Sequence, residues 1–113
     1  MKQVDYLRKV CLSFPEATEE PHFEKTSFRV TKKIFVTYDA SANRASLKLS
    51  EADQDLLSLF DSNAIYPVPN KWGKKGWTFI ELDRLTDQVL KDALTSAYCE
   101  VAPMKLRESI KDN

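Results

Sequence analysis

SFRVTKKIFVTYDASANRASLKL, residues 27–49, is the stretch whose reading decides the fold class. It divides into three short runs that suit extended backbone. SFRV (27–30) places Phe28 and Val30 on one face and Ser27 and Arg29 on the other. IFVTYD (34–39) is β-branched and aromatic almost throughout, the composition that packs well on a pleated surface. RASLKL (44–49) alternates cleanly, with Ala45, Leu47 and Leu49 inward and Arg44, Ser46 and Lys48 outward. Only Thr31, Lys32 and Lys33 separate the first two runs, so they predict a tight hairpin, although no Gly or Asn marks its turn. Asp39 to Asn43 makes a longer hairpin loop.

Outward from this core the period changes. Val4, Leu7, Val10, Cys11 and Phe14 form one apolar stripe, which predicts a helix over about residues 3–13, stopped by Pro15. PEATEEPHFEK (15–25) is polar, holds two prolines and shows no period, so it reads as a loop. Ser50 is an N-cap for a second helix, with Asp53 in its first turn and Leu56, Leu57, Leu59 and Phe60 as its buried side. AIYPVP (64–69) fits an edge strand, because two prolines exclude a central one. GWTFIEL (76–82) is a strand, and its alternation separates Thr78, Ile80 and Leu82 from Trp77, Phe79 and Glu81. Thr86 caps a third helix with Val89, Leu90, Ala93, Leu94, Ala97 and Tyr98 toward the core, and a short helix follows near Pro103–Ile110. Short loops between strands favour antiparallel pairing, and one-sided helices must cover one face of the sheet. The expectation is an α+β domain over residues 1–113, with an antiparallel sheet of about five strands and helices packed on one face.

With 113 residues there is room for one core. No apolar run approaches the roughly 20 residues that span a bilayer. Asp5, Arg8 and Lys9 interrupt the apolar N-terminal pattern, which excludes a signal-peptide core there. These features point to a soluble, cytoplasmic chain without a membrane partner. Cys11 and Cys99 then read as small hydrophobes on helices rather than a disulfide. With one histidine and no paired ligand spacing, no metal site and no cofactor is expected. The acidic cluster Glu16, Glu19 and Glu20 reads as a solvated turn.

Net charge is zero, but its distribution is uneven. Lys and Arg exceed Asp and Glu by four over residues 21–50 and by three over 64–80, whereas residues 51–63 carry an acidic excess of four. The strand-and-hairpin segments are therefore basic and the helical segments acidic. NKWGKKGW (70–77) is the most informative local feature, reading as a flexible hairpin with Lys71, Lys74 and Lys75 for phosphates and Trp72 for a base or sugar. Lys32 and Lys33 make a second basic tip, and Arg44 and Lys48 lie outward by alternation. An outward Trp77 and Phe79 beside these cations would form a platform for single strands. His22 and Trp77 are candidates for a ligand pocket instead. No Gly-rich phosphate loop, nucleophile elbow or pair of contrasting acids proposes catalysis.

The chain resembles the MmcQ/YjbR family through FPEATEEPHFEKTSFRVTKKIFVTY (14–38), SLKLS (46–50), Lys71-Trp72 with GWTFIEL, and the helix with Ser96 and Tyr98. It departs from the family pattern in the spacing of Ser96 and Tyr98 and in having Lys32 where a glycine is common. The resemblance implies a frataxin-like (CyaY-like) fold. It also implies a double-wing DNA-binding surface, with Lys32 and Lys33 on one wing and Lys71, Trp72, Lys74 and Lys75 on the other. Two functional expectations follow: a non-enzymatic DNA-binding module, or a small-molecule or protein-interaction module using the aromatic sheet face.

Overall fold

The structure, a computed structural model, describes residues 3–111 of the chain. Helix α1 (Gln3–Ser13) leads into strands β1 (Thr18–His22), β2 (Lys25–Val30), β3 (Lys33–Asp39) and β4 (Arg44–Lys48). Helix α2 (Glu51–Phe60), strand β5 (Ile65–Pro67), the short helix α3 (Lys71–Lys74) and strand β6 (Trp77–Glu81) follow, before α4 (Asp87–Val101) and α5 (Met104–Lys111). The six strands form one antiparallel sheet in the order β1-β2-β3-β4-β6-β5. No helix among the described residues is long and apolar enough to cross a membrane.

The sheet therefore has six strands rather than five, and the extra one is β1, within the segment read as a loop. Its sequence hid it for a physical reason. Thr18 to Glu20 and Pro21 are exposed, so no alternation of apolar and polar residues marks the strand. Its order comes from pairing with β2, Glu20 opposite Ser27 and His22 opposite Lys25, and an edge position tolerates Pro21. Arg8 of α1 holds the strand from the side, its Nε 3.0 Å from Glu19 Oε1.

Helices α1 and α4 cover one face of the sheet. Tyr98 of α4 stacks on Phe14 at 4.7 Å between centroids and meets Phe35 of β3 edge-on at 5.4 Å. The Tyr98 hydroxyl donates to the Pro15 carbonyl at 2.6 Å, so the buried ring has a satisfied polar end that also pins the exit from α1. Around them Leu7, Cys11, Phe28, Val30, Leu47, Ile80, Leu90 and Leu94 are buried. The predicted caps hold: Ser50 and Thr86 side chains accept from the backbone N–H of Asp53 and Val89.

The phase of α2 is the main departure. Leu56, Leu59 and Phe60, expected inward, are exposed, and the inward positions belong to Gln54 and half-buried Leu57. Gln54 wins its place through its amide. Nε2 lies within donating reach of the Gly73 carbonyl (2.9 Å), the Thr78 hydroxyl (3.1 Å) and the Trp77 carbonyl (3.2 Å). One carboxamide thus ties α2 to α3 and to the start of β6. Gly76, at φ 105°, makes the turn between those two elements, where an added Cβ would stand 1.9 Å from the Leu49 carbonyl oxygen.

Replacing Gln54 by Leu removes the amide donor to the Thr78 hydroxyl and a second donor to the Gly73 and Trp77 carbonyls, which keep the N–H groups of Gly76 and Val68. The expected cost is about 1 kcal/mol in urea unfolding. Gly76→Ala combines the backbone strain with that steric overlap, so a loss of at least about 2 kcal/mol is expected in the same measurement. A change within error in either variant would contradict this account of the joint.

Candidate functional site

With the helices on one side, the opposite face of the sheet is open. Register carries a single row across it: Glu20, Ser27, Thr37, Ser46, Phe79 and Tyr66 stand opposite one another, strand to strand. The middle of the row is short hydroxyl side chains, and one end is aromatic. Ser27 is fully buried, donating to the Glu20 carbonyl at 2.8 Å and accepting from Arg29 Nε at 3.0 Å. Short residues in the centre and large ones beside them make the face concave. The resulting groove has a volume of about 460 Å³, with Thr37, Ser46 and Ile34 along the strands. Trp72, Trp77, Phe79, Val68 and Asn70 line it from the β5–β6 side, and His22 and Lys25 from the β1–β2 side.

The alternation in β6 thus resolves with Thr78, Ile80 and Leu82 buried, and Trp77 and Phe79 on the open face. His22 and Trp77, far apart in sequence, line the same groove. Sequence reasoning missed Lys25 and also Phe23, which is 93% exposed at the tip of the β1–β2 hairpin and packs edge-on against His22 at 4.9 Å. A large aromatic between two polar residues at a turn was the available signal.

The two lysine segments lie at one end of the sheet. Val30 pairs with Lys33, and Lys48 with Trp77, so the β2–β3 turn, the end of β4 and the start of β6 fall together. Thr31 and Lys32 form the turn with φ of 49° and 69°, the left-handed pair of a two-residue hairpin turn, reached here without Asn or Gly. The segment read as a flexible hairpin, Asn70 to Gly76, is instead the ordered helix α3. Asn70 caps it, its side chain accepting from Trp72 N–H at 2.8 Å, and buried Gly73 sits against the Val68 carbonyl. Trp72 stays 48% exposed, with Lys75 Nζ 5.0 Å and Lys71 Nζ 5.7 Å from its ring centroid. A second depression, lined by Gln54, Pro67, Pro69, Lys71 and Lys74 among others, adjoins the groove through Val68 and Asn70.

Not every predicted cation is available. Among the described residues Lys32, Lys33, Lys71, Lys74 and Lys75 are exposed and enter no ion pair. Arg44 and Lys48, also expected among the nucleic-acid contacts, differ in that each faces a carboxylate. Arg44 lies over the Phe79 ring at 4.3 Å, donates to the Tyr66 hydroxyl at 3.2 Å and stands 3.7 Å from Glu81. The Tyr66 hydroxyl in turn donates to Glu81, closing a small internal network. The hydrogen bond from Arg44 to Tyr66 raises the guanidinium's affinity for its proton still further. Lys48 Nζ reaches Glu100 of α4 at 3.5 Å. Each cation thus has a carboxylate close by that offsets part of its charge.

The groove brings aromatic rings, hydroxyls, an imidazole and an ammonium group together. Its side chains stack, donate and carry charge. Cys11 lies in the opposite, covered layer, where burial pushes its thiol strongly up and keeps it protonated.

No curated protein matches the chain. Among solved structures it is similar to a crystal structure of a Deinococcus radiodurans protein with a DUF419 domain, at 25% identity. That match has a TM-score of 0.77 and covers 98% of this chain and 89% of the other. The YjbR family pattern matches residues 12–100, which include all six strands in full, most of α4, and the whole groove. The chain belongs to the YjbR family.

Proposed function

We propose that the protein is a non-enzymatic nucleic-acid-binding module that lays a single-stranded segment across its open sheet face. One observation carries this reading: an aromatic-walled groove opens across a sheet that has, at one end, five exposed lysines in no ion pair among the described residues. Stacking on Trp72, Trp77 and Phe79 tolerates any base, since every base has a flat π-face. Lys71, Lys74 and Lys75 beside the groove and Lys32 and Lys33 at the neighbouring turn are placed for the phosphates. The groove lies within the 300–1,000 Å³ typical of small-molecule sites, which supports a second reading, an aromatic ligand held between Trp77 and His22. Salt separates the two, because only polyanion binding releases condensed counterions.

In fluorescence anisotropy with a labelled oligothymidylate, five lysine contacts at about 0.7 each give a log–log salt slope near −3.5. Joint Lys71→Glu, Lys74→Glu and Lys75→Glu replacement abolishes binding at about 0.1 M salt, where exposed charges still act across a Debye length. No binding to single strand or duplex at low salt overturns the proposal, and a salt-independent small-molecule thermal shift establishes the second reading.

Trp72→Ala separates stacking from charge. It is expected to weaken the same complex by about 1–3 kcal/mol while leaving the slope unchanged. An unchanged affinity would remove Trp72 from the site.

A further inference from the structure

Helix α2 presents its apolar stripe to solvent. Leu56, Leu59 and Phe60 are 67%, 84% and 67% exposed. Their spacing of three and four puts them on one outward ridge together with exposed Ala52. The helix does not need this ridge for its own packing, because Gln54 and Leu57 hold it to the body on the other side. By helical phase the ridge is bordered by Glu51 and Asp55 on one flank and by Asp53 on the other. None of these carboxylates enters an ion pair among the described residues.

We infer that the outward face of α2 is a docking site for a basic amphipathic helix of another protein, its apolar side on Leu56, Leu59 and Phe60 and its Lys or Arg side chains on Asp53 and Asp55. Charge selects this occupant. A symmetric second copy would bring Asp53 and Asp55 against their own images, and like charges juxtaposed at an interface are costly. An anionic membrane surface repels the same flanks. The ridge is convex and follows i, i+3, i+4 spacing, the pattern that interlocks with the grooves of another helix. About three turns of helix is a small contact, so the complex is transient. The inference is independent of the nucleic-acid reading, since it uses no residue of the groove or of the lysine segments.

The test uses the full chain and two synthetic amphipathic helices of about 18 residues, identical in their leucines, one with lysine flanks and one with glutamate flanks. Saturable binding of the lysine peptide is expected, with amide shifts confined to residues 51–61. Leu59→Ser, and separately the pair Asp53→Lys with Asp55→Lys, should each weaken it about tenfold. The Lys71, Lys74, Lys75 charge reversal should not weaken it. All these positions are exposed or half-exposed, and a thermal melt of each variant verifies that it is folded. Equal binding of the glutamate peptide, shifts outside α2, or no effect of the α2 variants would overturn the inference. So would sedimentation showing that the chain alone dimerises and that Leu59→Ser abolishes the dimer.

Discussion

Helices cover one face of this sheet and leave the other bare, and most of the molecule's character follows from that constraint. A strand sends alternate side chains to opposite faces. Once α1 and α4 seal the side of Phe28, Leu47 and Ile80, the residues between them have only one another, solvent or a ligand to meet. The open row holds the short side chains of Ser27, Thr37 and Ser46, of which Ser27 bonds locally to the Glu20 carbonyl, and Trp77 and Phe79 are only half covered. A face of that composition is concave and amphipathic.

The second organising element is the carboxamide of Gln54. Its bonds to Gly73, Trp77 and Thr78 fix the rotation of α2 and the seat of α3 at once. Two surfaces depend on that. Trp72 and its flanking lysines are carried on an ordered helix rather than a mobile loop, so less ordering entropy is lost when they engage a partner. The same rotation turns Leu56, Leu59 and Phe60 outward, which creates an apolar ridge on the acidic part of the chain.

Electrostatics in this protein is a matter of which charges are spent internally. Net charge is zero, so there is no long-range pull toward a polyanion. Arg44 and Lys48, on the strands, face Glu81 and Glu100 at short range and are neutralised. The lysines on the β2–β3 turn and at α3 enter no ion pair among the described residues. A local field therefore survives at one end of the sheet in a chain with no overall charge.

Read alone, the sequence determined the α+β class, the antiparallel hairpins, the caps at Ser50 and Thr86, and the edge position of the proline-bearing strand β5. It also showed lysines concentrated in two segments between strands, while leaving open whether Trp77 and Phe79 face outward. These follow from local rules: alternation, capping chemistry and the missing N–H of proline. Strand β1 was invisible because its order comes from backbone pairing with β2 rather than from its own side chains. The phase of α2 was misread because burial of Gln54 is favoured only when the carbonyls of Gly73 and Trp77 and the hydroxyl of Thr78, roughly twenty residues away, are already in place. Pairing of Arg44 with Glu81, and of Lys48 with Glu100, is likewise a contact between distant parts of the chain. Tertiary structure alone decided these points, since hydrogen bonds and ion pairs between remote residues leave no period in the sequence.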